Sequence, residues 1–229
     1  MAPHRIAPYR IAPYRIAIVA FGLWFGVCTL LAQAATRPDD ATADTPASEL
    51  APGVFLVAGT SLLDPNFVQT VVLLINYSAQ GAFGVIVNRE IDVTLSTALP
   101  DIELSGHEEN NLRFGGPVAP QNALALVRSD SPPSGSQPVF GQVHASGNLS
   151  AIAGSLREGN EDIALIVCVG YAGWAPGQLD AEYARGDWHV APADDALIFD
   201  SQTDAIWPQL IRKFRGTWVK ARGGATALR

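Results

Sequence analysis

The sequence is short of cysteine, of basic residues and of charge altogether, and each shortage narrows what the chain is able to be. Its 229 residues hold two cysteines, Cys28 and Cys168. Cys28 lies in an apolar N-terminal run; once that run is removed, one thiol remains. An intramolecular disulfide is then excluded, and the fold must stand on its core even in an oxidising compartment. Cys168 sits among apolar residues, where a thiol behaves as a small inert hydrophobe. Charged residues make up 16% of the chain, 15 basic against 22 acidic, for a net charge of −7. So acidic a chain repels phosphate backbones unless it gathers a basic face. Its basic cluster, Arg212, Lys213, Arg215, Lys220 and Arg222, reads as a solvated helix end and tail, so no nucleic acid is expected as a partner. His107, His144 and His189 are far apart, and His107, Glu108 and Glu109 are adjacent rather than at ligand spacing; no metal is expected. There is no Walker loop or dinucleotide fingerprint, so no cofactor is expected either. His144-Ala145-Ser146-Gly147-Asn148 lacks the first glycine of a nucleophile elbow, and no other catalytic set stands at readable spacing.

What is present begins with an unusual N-terminus. Residues 1–15 repeat Arg-Ile-Ala-Pro-Tyr and place Arg5, Arg10 and Arg15 before an apolar run over 16–31, which ends in Ala32-Gln33-Ala34. Basic, apolar and small-x-small segments in that order read as a cleaved secretory signal over 1–34. An uncleaved membrane anchor is the alternative, since the uncharged stretch approaches the ~20 residues that span a bilayer. Both place the rest of the chain outside the cytoplasm, in the periplasm or tethered to the inner membrane and facing it, with the acidic side of the segment outward. The membrane is a partner only through this segment. Its removal leaves twelve basic against 22 acidic residues, a net charge of −10. Residues 35–52, rich in Ala, Thr, Pro and Asp, read as a disordered linker. A domain over 53–216 and a polar basic tail over 217–229 follow.

The chain is organised around residues 168–188. An apolar, β-branched run over 163–170 has the composition of a strand buried on both faces. Gly170, Gly173 and Gly177, with Pro176, then predict a turn. Leu179 and Tyr183, four apart, predict a short helix ended by Gly186, with Trp174 and Trp188 on either side. A large aromatic beside such a turn is expected to fold back over the core.

Elsewhere, strands are predicted over 54–57, 71–75, 83–87, 123–127 and 188–190, the second and third forming a hairpin through 77–81. Asp64-Pro65-Asn66 predicts a turn in which Asp64 caps the backbone amides that follow. Helices are predicted over 95–99, from Asn148 to a terminating Gly159, over 194–199, and through Ile206, Leu210, Ile211 and Phe214. Pro208 is placed in the first turn of the last of these. Residues 105–111 and 129–137 read as polar loops, the latter without core residues. Gly115-Gly116-Pro117 predicts a constrained turn or a close backbone approach. Helices among strands without a regular βαβ repeat argue for an α+β fold.

Four segments in order resemble the bacterial YqgE/AlgH family: Leu63-Asp64-Pro65-Asn66-Phe67 ahead of Thr70-Val71-Val72, Gly81 to Arg89, Gly115-Gly116-Pro117-Val118, and Gly170-Tyr171-Ala172-Gly173-Trp174-Ala175-Pro176-Gly177-Gln178-Leu179 with Glu182 and Trp188. The resemblance implies an α+β fold of bifurcated, partly barrel-like β-sheets surrounded by helices. It implies no established activity, although some members carry a transcriptional-regulator label. Relatives often have a basic residue at the position of Gln69 and a proline at that of Glu90, and typical members lack the N-terminal extension. Two functions stay open. One is a non-catalytic binding or regulatory module of the envelope, its partner an unidentified protein or small molecule, working through Asp64, Asn88, Gly115, Gly116, Pro117, Tyr171, Trp174, Gln178 and Glu182. The other is an enzyme whose site uses scattered residues such as Asp64, Asn88, Tyr171 and Glu182.

Overall fold

The computed structural model describes residues 49–158 and 163–222. The N-terminal segment over 1–34, most of the linker and the terminating Gly159 lie outside the described residues. Within these residues ten strands join in one sheet in the order β10-β1-β2-β3-β9-β6-β8-β7, with β4 and β5 as a branch. In chain order these are β1 (Val54–Ala58), β2 (Val71–Ser78), β3 (Gly81–Ile86), β4 (Glu90–Thr94), β5 (Asn111–Phe114), β6 (Val118–Arg128), β7 (Gln137–Phe140), β8 (Val143–Ser146), β9 (Ala164–Trp174) and β10 (Trp188–Pro192). Among the described residues five helices flank them: α1 (Leu95–Ala98), α2 (Leu149–Arg157), α3 (Gln178–Ala184), α4 (Asp195–Phe199) and α5 (Thr203–Arg222). The architecture is α+β with an open sheet.

The sheet forks at β9. One edge of this strand pairs with β6. The other edge pairs with β5, parallel, at Cys168 and Val169, and then with β3, antiparallel, from Ala172 to Trp174. The change of neighbour falls at Gly170, whose φ is +69°. Curvature brings the far strand β7 back towards β1: a Cβ on Gly53 would stand 2.9 Å from the Val139 carbonyl oxygen and from the Phe140 Cβ. No ladder joins β7 to β1 among the described residues, so the barrel is partial.

Three apolar clusters form around this sheet. One lies on the Val57, Leu73, Val85 and Cys168 face under α4 and α5. A second joins β5, β6 and β9 to α1 and α2. The third packs Leu56, Val72, Ile86, Trp174 and Trp188 beneath α3. Local chemistry sets the helix ends. Asn148 caps α2 by accepting the Ala151 N–H at 3.1 Å. Gly186 (φ +82°) closes α3, its N–H donating to Tyr183 O at 2.9 Å and that of Asp187 to Glu182 O at 3.0 Å, a Schellman pair.

Several expectations are corrected. Gly170 and Gly173 do not turn the chain; they lie inside β9, which runs on to Trp174, where the Gly116 and Val118 carbonyls crowd the first and the Tyr171 ring and Val118 the second. The hairpin β7–β8 forms where a loop is expected to reach 137. Pro138 is tolerated because β7 is an edge strand that needs no donor on its outer side. Within that expected loop, Ser129 and Pro133 are buried. Strand β4, whose Ile91 and Val93 alternate with polar residues, also forms where no strand is predicted. Pro208 lies inside α5, in its second turn, and so removes the bond that residue 208 would donate to the Asp204 carbonyl. Leu50 is 3% exposed within the third cluster, so the packed domain begins before residue 53, and α5 continues past 216.

Candidate functional site

Two glycine motifs meet backbone to backbone at the fork. A Cβ on Gly115 would lie 2.3 Å from Gly170 O, one on Gly116 2.2 Å from Tyr171 C, and one on Gly170 2.2 Å from Gly116 O. Real side chains never come so close, so Gly115-Gly116 and Gly170 form a single crossing that only glycine allows. The crossing fixes the register of Val118 opposite Tyr171.

Alternation along β9 then sends Tyr171 and Gly173 to one face and Ala172 and Trp174 to the other. On the first face Tyr171 is half-buried and meets Phe83 edge-on at 6.0 Å. Phe83 stands opposite Gly173, whose lack of a side chain leaves room for the Tyr171 ring and a Val118 methyl. Val118 is 37% exposed and Pro117 is exposed beside it. No charge enters the chain over 65–88, 114–127 or 163–179, the segments that supply β2, β3, β9 and β6 up to Val127, so these strands bring no charged side chain to this face.

The opposite face is closed. Trp174 and Trp188 are 7% and 2% exposed, meet at 6.0 Å edge to face, and both contact Phe67. Both indole N–H groups donate to Glu182 Oε2, at 2.8 and 2.9 Å. Gln178 donates to the other carboxylate oxygen at 2.9 Å and accepts the Ala175 N–H. Trp174, Gln178 and Glu182 are thus one packed unit that seats α3 on the sheet.

Asp64 and Asn88 belong to a third group. Asp64 Oδ1 accepts the Asn66 N–H at 2.7 Å, the expected cap. Asn88 uses both ends of its amide internally, accepting from Val71 N at 2.7 Å and donating to Gln69 O at 3.0 Å. This supports the left-handed Gln69 (φ +56°). Arg89 donates to Asn66 O and Val68 O and lies over the Phe114 ring; burial lowers its pKa. Residues 64–69 are therefore clamped from β3 onwards.

Of the nine sequence-derived site residues, the structure brings together Gly115, Gly116, Pro117 and Tyr171. It sets Trp174, Gln178 and Glu182 behind the sheet. Sequence reasoning left out Phe83, Val118 and Gly173, which complete the first face. The signal available for them was the absence of charge in three separate segments.

The remaining perturbed groups belong to packing contacts or to surface pairs. Arg113 is 8% exposed and donates to Val87 O and Ile198 O, fastening α4 to the sheet, and burial lowers its pKa. Burial pushes the neighbouring Cys168 thiol up to about 12, although Arg113 opposes the shift. Arg128 forks onto Asp200 at 2.8 and 2.9 Å. Among the described residues no group of three His, Cys, Asp or Glu side chains is placed to hold a metal.

Residues 55–219 match the family model described as AlgH-like, DUF179. A UPF0301 protein of Anaeromyxobacter dehalogenans is 33% identical over 179 residues, 74% of this chain and 90% of that protein. A UPF0301 protein of Nitrosospira multiformis is 33% identical over 150 residues, 64% of this chain and 80% of its own length. Among solved structures, protein DIP2367 of Corynebacterium diphtheriae superposes with a TM-score of 0.63 at 26% identity, covering 72% of this chain and 88% of that one. The AlgH protein of Pseudomonas aeruginosa gives 0.55 at 28% identity, covering 76% and 89%. The chain belongs to the AlgH-like (DUF179, UPF0301) family.

Proposed function

We propose that the protein is a non-catalytic binding or regulatory module, exported to the cell envelope, that engages its partner through the charge-free face around Val118, Tyr171 and Phe83. The supporting observation is that Val118 stays 37% exposed on that face, on a chain whose net charge is −7. Exposed apolar surface marks interaction sites, and loss of charge with gain of aromatic residues is the composition of an interface centre. Against the enzyme reading, Asp64, Asn88 and Glu182 each have side-chain oxygens occupied in internal hydrogen bonds. The groups with shifted pKa sit in packing contacts (Arg89, Arg113, Cys168) or in surface pairs (Arg128 with Asp200, Tyr183 with Glu49) instead of forming one polar cluster.

Val118→Glu places a charge on the face without touching the core. Its stability is expected to stay within about 0.5 kcal/mol of wild type. Tagged full chains of both kinds, purified from their own cells, are compared by quantitative mass spectrometry. A partner held by wild type and lost from Val118→Glu is the expected result; identical partner sets would remove the face from consideration. Export has a separate test. Residues 1–40 fused to alkaline phosphatase, which is active only outside the cytoplasm, should give an active enzyme, and an inactive fusion removes the envelope from the reading.

A further inference from the structure

A groove of about 280 Å³ opens between α1 and the chain that follows it. Leu95, Leu99 and Leu104 line its floor, none more than 4% exposed, and Ile102 is half-buried beside them. Asp101, Glu103 and Glu108 stand around it, none in a salt bridge among the described residues. The segment that lines it carries charge of one sign: residues 90–111 hold six carboxylates and neither lysine nor arginine. The loop that carries Glu108 is fixed to α1, since Leu95 N–H donates to Asn110 O at 2.8 Å and Ser96 N–H to Glu108 O at 3.1 Å. The groove is therefore a held shape with an apolar floor and an anionic rim.

We propose that it docks one arginine side chain presented by a partner polypeptide, with the methylene stem along the leucine floor and the guanidinium among Asp101, Glu103 and Glu108. The size suits a single long side chain, being at or below the bottom of the ~300–1,000 Å³ range of small-molecule pockets. An apolar wall with a charged mouth matches a side chain that buries its stem and keeps its head at the water boundary. Carboxylates on several sides favour the five-donor fork of arginine over the point charge of lysine. A purely apolar occupant would strip water from three carboxylates without replacing it.

The test is a methyl NMR titration of the full chain, labelled at leucine and isoleucine. The probes are acetyl-Gly-Leu-Arg-Leu-Gly-amide and its lysine and citrulline counterparts, citrulline being the uncharged isostere of arginine. The arginine peptide is expected to shift the Leu99, Ile102 and Leu104 methyls saturably, the lysine peptide to bind several-fold more weakly, and the citrulline peptide to leave these methyls unmoved. Neutralising the rim with D101N, E103Q and E108Q together removes three exposed charge pairs. It should weaken the arginine peptide by about tenfold while the methyl spectrum of the free protein is retained. Equal binding of the citrulline peptide, equal binding of the lysine peptide, no saturable shift at these methyls, or full affinity in the triple variant would each overturn the proposal.

Discussion

Truncating Trp174 separates the two faces of β9 most sharply. The ring is 7% exposed, lies 6.4 Å from Phe67 and 6.0 Å from Trp188 between centroids, and donates to Glu182 at 2.8 Å. Trp174→Ala leaves a hole under α3 that its neighbours fill only in part, and such truncations cost about 3–5 kcal/mol. The lost indole bond adds little, because Glu182 keeps Trp188 and Gln178 as donors. That loss is a large share of the roughly 5–15 kcal/mol that holds a domain folded. With a urea slope of about 2 kcal/mol per molar, the midpoint should fall by roughly 2 M. Circular dichroism in urea is the suitable assay, since the mutation removes a fluorescence reporter. Trp174→Phe should recover much of the loss by restoring an aromatic ring, and Tyr171→Ala on the half-buried face should cost less than Trp174→Ala. A wild-type midpoint for Trp174→Ala would refute the reasoning, for the ring would then bear no packing.

Gly170→Val should abolish soluble expression, because its Cβ would lie 2.2 Å from Gly116 O at a φ of +69°; a soluble, folded variant would deny the crossing. Asp200 is held below its ordinary 3.8 by the hydrogen bonds from Arg128. Its contribution is therefore full above 3.8 and lost as pH falls through the lower folded value. The melting-temperature gap between wild type and Asp200→Asn should be constant near neutrality and close on acidification below about pH 4, and a gap unchanged at pH 3 would contradict the pairing. The Cys168 thiol, fully buried with its pKa pushed up to about 12, should resist iodoacetamide in the native protein and react in urea, as followed by peptide mass mapping.

Local signals carried much of the fold into the sequence. The β1, β2, β3 and β10 runs, the Asp64 turn, the Asn148 cap and the Gly186 stop depend on neighbours a few residues away, and all appear where composition puts them. What failed depended on distant partners. Gly170 and Gly173 have turn chemistry, yet they serve a strand because distant Gly116 and Val118 come up against Gly170 and the Tyr171 ring and Val118 against Gly173. Pro138 reads as a strand breaker, yet it sits in β7 because that strand is at the edge. The site residues divide for the same reason. Tyr171 and Trp174 are three apart, an odd spacing that puts them on opposite faces of a strand, whereas a turn would have allowed both to face one way. Nothing near Glu182 in the sequence marks its partners, and only the return of β10 brings Trp188 to share it with Trp174.

The most direct test of the charge-free face as the recognition surface is site-specific photo-cross-linking in living cells. The two described large hydrophobics that are exposed, Val118 at 37% and Leu63 at 83%, are replaced one at a time by benzoylphenylalanine. A discrete adduct from position 118, absent from position 63 and abolished by adding Phe83→Glu, is the expected result. Adducts from position 63 with none from position 118 would place recognition on the 61–69 loop and contradict the proposal.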